Sequence, residues 1–335
     1  SESIEVVGQH PTDGSASRVG SGAFSEGQAG KVELEAPRIV LDGGALATLA
    51  APLSPVFGGG EGGAGGEIIV NAGREFLVRG GGEVTASTWG PGAAGRIEIH
   101  AGESIRVEGS SIESRTGASG SGGDVVLSAP RIEAVGGGEV SGRSAPLKRM
   151  PDGTPDFGDA GSIEFLHDVL KEPPETATGE AGNVTLAGET VRLVGGRITT
   201  DAGETDGGNI GLQATRLVHL DAGEITASVA GGTGGNIAID PVFLILQNGS
   251  RIRAEAGSGS GGQIRITADN FFQFPGSRVS AQAARPELSG TVEIHSPDVN
   301  LAGTLAPLPS AFLDAGSLMR ERCAARRSGE RAGSF

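Results

Sequence analysis

The side chains able to do acid–base, metal or thiol chemistry in this 335-residue chain are five histidines, 41 acidic residues and one cysteine. His10, His100, His167, His219 and His295 are scattered along the chain. His100 and His295 share an outward place on a recurring strand, several repeats apart, and read as solvated surface. Cys323 has no second cysteine, so it forms neither an intrachain disulfide nor a cysteine-based metal site. No HExxH, Walker loop or GxSxG occurs.

Two further chemistries are worth weighing. The glycine tract 257–262 (GSGSGG) lacks the regularly placed Asp that calcium-binding nonapeptide repeats need, so it reads as a turn. The loop acids Asp156 and Asp159 are where isolated calcium binding is the alternative. Glycoside hydrolysis needs two carboxylates flanking one bond, about 5 to 9.5 Å apart. Glu33 and Glu98 lie two repeats apart, roughly 10 Å, with Ile69 between them. No Asp-Asp pair or adjacent basic residue accompanies them on a strand. No catalytic, cofactor-binding or metal-binding residue is therefore expected. The chain reads as not an enzyme, with a carbohydrate-active lyase or hydrolase as the alternative.

The elements that carry these side chains repeat with a period of about 27 residues, clearest in 208–281. Repeat starts fall at Gly30, Gly66, Gly95, Gly123, Gly161, Gly182, Gly208, Gly235, Gly262 and Gly290. Two and four places after each start stands an apolar residue, from Val32/Leu34 and Ile68/Val70 through Ile163/Phe165 to Ile237/Ile239 and Val292/Ile294. These are expected to point inward, with alternate residues outward. A third short strand places one large apolar residue before a small one: Leu46/Thr48, Ile112/Ser114, Ile198/Thr200, Ile225/Ala227 and Ile252/Ala254 among them. The small residue is read as easing a tight corner, and the turn Gly and Asn as supplying positive φ. Asn183, Asn209 and Asn236 occupy equivalent places and are expected to stack as an amide ladder. The third strands open on Arg197, Glu224, Arg251 and Arg278, which puts Glu224 between Arg197 and Arg251.

Short strands repeated in register pair with their own copies one repeat away. The expected fold is all-β: a right-handed parallel β-helix of about ten three-strand coils over residues 1–301. Insertion loops are expected at 48–65, 143–160 and 167–181. Residues 302–335 are expected to form a cap, with a short helix at 317–326 and a flexible tail. The opening residues Glu2–Gly8 match Glu103–Gly109 inside a repeat, which suggests a chain that starts mid-coil as the C-terminal part of a longer protein. Sixty glycines without a Gly-X-Y period exclude collagen. A formal charge of −15 offers no basic face for phosphates, so nucleic acid is not an expected partner. No run of 18 apolar residues occurs, so a membrane-spanning chain is not expected.

The unit G-N-I-x-I-x-A, an apolar strand, then G-x-I-T-A is carried best by residues 208–227, 235–254 and 262–281. It resembles the repeats of filamentous-haemagglutinin-type exoproteins of the two-partner secretion pathway. Residues 286–301 (PELSGTVEIHSPDVNL), with Leu308-Pro309 and Cys323-Ala324-Ala325-Arg326, look like the C-terminal end of large exoproteins of this family. The family's N-terminal secretion domain, with its Asn-Pro-Asn motifs, is missing from this sequence. The resemblance implies export through an outer-membrane secretion pore, an extracellular or bacterial-surface location, and an adhesin-like or structural role with a cell-surface or glycan ligand. It transfers no binding residue, because the matching positions are scaffold.

Overall fold

In a computed structural model, the structure describes residues 2–8, 17–24, 26–52, 61–146 and 175–296. The chain divides into two compact units, Ser1–Pro297 and Asp298–Phe335, and the described residues all lie in the first. The expected cap and its helix at 317–326 lie outside the described residues, as do Asp156, Asp159, Cys323, His10 and His167.

The first strands are β1 (Ile4–Val7), β2 (Arg18–Ala23), β3 (Val32–Asp42), β4 (Ala45–Ala50), β5 (Ile68–Arg79) and β6 (Glu83–Thr88). Next come β7 (Ile97–Ala101), β8 (Ser104–Glu108), β9 (Ser111–Glu113), β10 (Val125–Ser128), β11 (Arg131–Val135) and β12 (Glu139–Ser141). After them follow β13 (Val184–Val194), β14 (Arg197–Thr199), β15 (Ile210–Asp221), β16 (Glu224–Thr226), β17 (Ile237–Asp240) and β18 (Phe243–Gln247). The last are β19 (Arg251–Arg253), β20 (Gln263–Thr267), β21 (Asn270–Gln273), β22 (Arg278–Ser280) and β23 (Thr291–His295). A single 3-10 turn, Pro286–Leu288, interrupts this all-β order among the described residues.

The expected right-handed β-helix with three separate strands per coil is corrected here. In β3, β5, β13 and β15 the first and second expected strands run on without a break, so their ladders merge into one fourteen-stranded sheet. Within it β5, β7, β10, β13, β11 and β8 pair in turn and return to β5, closing a six-stranded parallel barrel. The third strands, β2, β4, β6, β9, β12, β14, β16, β19 and β22, form a separate nine-stranded parallel sheet. The physical reason lies at the bend between the first two strands. Pro37 and Glu189 are absorbed as register irregularities inside a continuous strand, where the sequence reading expects a turn.

Strand alternation holds along the first strands. Ile68, Val70, Ile97, Ile99, Val125, Leu127, Ile237 and Ile239 are buried, while Ala238 between the last two is exposed. Val292 and Ile294 depart from the pattern: each is 41% exposed on β23, the last described rung, with only β20 beside it. The third-strand rule also holds, since Leu46, Ile112, Ile198, Ile225 and Ile252 are buried with Thr48, Ser114, Thr200, Ala227 and Ala254 behind them. The buried hydroxyls also make bonds. Thr48 Oγ1 donates to the carbonyl of Gly66, Ser114 Oγ to that of Gly95, and Thr200 Oγ1 to that of Gly208.

The glycines serve two purposes, one at the turns and another at the repeat starts. The expected positive φ is found at the turn residues Asn248 and Gly249, and at Gly43, Gly80, Gly109, Gly136 and Gly195, but at no described repeat-start glycine. A Cβ at Gly66, Gly95, Gly208, Gly235, Gly262 or Gly290 would collide with the carbonyl oxygen of the start glycine one repeat earlier. Glycine stands there because backbones meet, and a methyl has no room. A Cβ at Gly182 would meet the carbonyl oxygen of Gly123. Val125 likewise pairs directly with Val184. The expected repeat at Gly161, with Ile163 and Phe165, lies outside the described residues. Two insertion bounds shrink as well. β4 continues to Ala50, and Thr178 and Gly179 already bond to the carbonyl of Ala118.

Candidate functional site

The bend that merges the first two strands also shapes the surface outside it. Ala36, Ala72, Ala101, Ala129, Ala214 and Ala268 are buried at the bend. Pro37, Gly73, Gly102 and Pro130 follow four of them, and on β13 Gly188 itself takes the place of the alanine, paired with Ala214. At Gly102 and Gly188 a Cβ would collide with the carbonyls of Gly73 and Ala129. The backbone is packed so closely there that no side chain fills the space outside, and a trough results.

The trough has two stretches. One, about 680 Å³, is lined by Glu35, Pro37, Asn71, His100 and Ser128 among others. The other, about 780 Å³, runs past Ser128, Gly188, Gln213, Asp240 and Thr267 to Asp269. Both include Ala101 and Ser128, so they are one open groove crossing eight successive rungs. At the ordinary inter-strand spacing that is roughly 34 Å.

One wall of the groove is a single column of outward residues in register. Glu35 faces Asn71, Asn71 faces His100, and His100 faces Ser128. The column continues through Ala187, Gln213 and Asp240, then Thr267 and His295. Each follows the second inward apolar residue of a first strand, and all but Ala187 can hydrogen-bond. That place was legible in the sequence, but only the two histidines in it were singled out. Sequence reasoning missed Gln213, Asp240 and Asp269.

Charge is divided by face. Neither stretch of the groove has Lys or Arg among its lining residues, whereas Glu35, Glu189, Asp240 and Asp269 line it. The carboxylates of Asp240 and Asp269 have no partner among the described residues. Glu189 faces the exposed Arg216 at 3.9 Å. Other arginines are engaged away from the groove, rung to rung. On the second strands Arg106 Nη1 meets Glu133 at 2.6 Å and Arg192 meets the same carboxylate at 3.5 Å. On the third-strand sheet Arg143 bridges Glu113 at 2.7 Å and Glu139 at 3.3 Å. Burial works against the Arg143 charge, but the Glu113 and Glu139 carboxylates outweigh it and raise the pKa of the guanidinium.

The remaining sequence-stressed residues fall outside a shared site. Ile69 lies between Glu33 and Glu98 in register, as the spacing implies. Glu98 accepts from His100 Nε2 at 2.8 Å and pairs with Arg96 at 2.9 Å. The His100 bond, with Arg96 adding to it, lowers the Glu98 pKa against the cost of burial. His219 stands beside Arg192 on the second strands, away from the groove. Burial and the Arg192 charge lower the pKa of its imidazole. No group of three or more His, Cys, Asp or Glu able to hold a metal ion occurs among the described residues. No helix among them is long and apolar enough to cross a membrane.

No family model matches the chain. No curated protein and no solved structure matches it.

Proposed function

We propose that this chain is a non-catalytic, adhesin-like segment of a secreted or surface-displayed bacterial exoprotein of the filamentous-haemagglutinin type. On this reading it leaves the cell through an outer-membrane pore and binds a glycan or cell surface. The observation that carries the binding role is the groove. It is open, crosses eight rungs and presents a hydrogen-bonding side chain on seven of them. An extended polymer fits such a surface better than a compact small molecule, which needs an enclosed cleft. The secretion part of the reading rests on the repeat resemblance alone. Binding of the purified chain to a glycan array and to whole cells tests it. Saturable binding to at least one glycan class or cell type is expected, and failure on both would overturn it.

Polysaccharide hydrolysis is the second reading, favoured by one observation: Asp240 and Asp269 line the same groove. The groove lining holds no arginine or lysine to serve a lyase as base. Release of soluble fragments from a polysaccharide bound to the chain would decide for the enzyme.

A further inference from the structure

The groove combines three features that restrict its occupant. Its polar wall repeats at the inter-strand spacing of about 4.8 Å, with a gap at Ala187. An occupant making a polar contact on rung after rung is best matched by an extended polymer with a short, regular repeat. Its lining offers mainly oxygen acceptors and hydroxyl or amide groups: Glu35, Asn71, Ser128, Gln213, Asp240 and Thr267. Its charge is negative at both ends without a lining cation, in a chain of formal charge −15.

From these we infer that the groove seats an extended glycan carrying free amino groups, with its ammonium ions against Asp240 and Asp269 and its hydroxyls along the Glu35–Thr267 column. The inference rests on the reading of the chain as a glycan-binding module and names the class of glycan. Charge complementarity sets the choice. A polyanionic glycan would bring its carboxylates or sulfates against Glu35, Asp240 and Asp269, for which the groove lining holds no lysine or arginine, and like charges brought together disfavour a partner. A neutral glycan would satisfy the hydroxyl and amide groups but leave Asp240 and Asp269 unmatched. An amino-sugar polymer satisfies both.

The test is titration of the full chain with a chitosan hexasaccharide, its fully N-acetylated counterpart and a heparin hexasaccharide, in about 0.15 M salt so that diffuse attraction is screened. The deacetylated oligomer is expected to bind at least about tenfold more tightly than the acetylated one, with heparin not binding. Asp240→Asn/Asp269→Asn should remove that preference. Glu204→Gln/Glu287→Gln removes the same charge from exposed acids that do not line the groove, and should keep the preference. Equal binding of the two chito-oligomers by the native chain, binding of heparin, or equal loss in both double variants would each overturn the inference. Whole-cell binding by Asp240→Asn/Asp269→Asn, measured alongside, separates the two levels. If cells are still bound while the native chain shows no amino-sugar preference, this inference fails and the broader binding role stands.

Discussion

Gly208 shows how a single atom decides the local structure. Its backbone sits against the start glycine of the repeat before it, and a Cβ there would strike the carbonyl oxygen of Gly182. The carbonyl of Gly208 itself accepts from the buried Thr200 hydroxyl, 2.6 Å away. Gly208→Ala must therefore push two rungs apart or bend the Thr200 corner. Overpacking of this kind costs about 1–3 kcal/mol. Gly203→Ala is the control, because a Cβ at Gly203 meets nothing closer than 3.7 Å. It should be neutral, or stabilising by a few tenths of a kcal/mol through the unfolded chain. Denaturant melts of the two variants check this, and equal midpoints would show that the glycine column is not under steric constraint. The sequence displays these glycines at a regular spacing, but spacing along a chain does not reveal how close two backbones come. A turn glycine is legible from its neighbours, as at Asn248-Gly249, whereas close approach of two backbones is not.

At the scale of strands and ladders, the amide stack was legible because three asparagines fall at one place in successive repeats. Asn209 Nδ2 donates to Asn183 Oδ1 at 3.0 Å, and Asn236 Nδ2 donates to Asn209 Oδ1 at 3.0 Å. The structure extends the stack to Asp124, a pure acceptor, at one end and to the backbone N–H of Gln263 at the other. Glu224 was half legible. It pairs in register with Arg197 and Arg251 as expected, and its carboxylate meets Arg197 at 3.2 Å. On the other side, however, it meets Arg253 rather than Arg251. Residues two apart share a face, so backbone register alone leaves both arginines within reach of one acid. Arg251 then lies beside Arg278 with like charge. Arg253→Ala should accordingly cost more than Arg251→Ala. These are partly exposed pairs, so the difference is on the order of 1 kcal/mol or less, and it should shrink as salt is raised. Urea midpoints of the two variants at low and high salt measure it, and a larger loss for Arg251→Ala would reverse the assignment. The merged strands β3, β5, β13 and β15 were not legible at all. A Pro or Gly between two apolar runs reads as a turn in sequence, whereas here the ladder bonds resume beyond it and close the barrel.

For the first compact unit as a whole, the question is what the long break in the repeat does to the stack. Val125 through Ser128 pair directly with Val184 through Ala187, so the sheet passes over the interruption without a gap. The chain leaves and re-enters at one corner. Ser144 bridges in parallel to Thr116 and to Ala202, and Ala145 bonds back to the carbonyl of Thr116. On the return, Thr178 bonds to the carbonyl of Ala118, two residues along from Thr116. Among the described residues, the rung bonds on either side of the break are thus made by residues up to 145 and from 178 onward. Replacing residues 147–174 with about six Gly/Ser residues should leave these bonds in place. Shortening the loop also lowers its closure entropy, by roughly 1 kcal/mol on the logarithmic scaling. The expected result is a single cooperative unfolding transition with its midpoint unchanged or raised by a few degrees. Binding through the groove should be retained, since every described lining residue stays in place. A midpoint lowered by many degrees, or a second transition splitting β1–β12 from β13–β23, would show that the removed segment holds the two runs of the stack together.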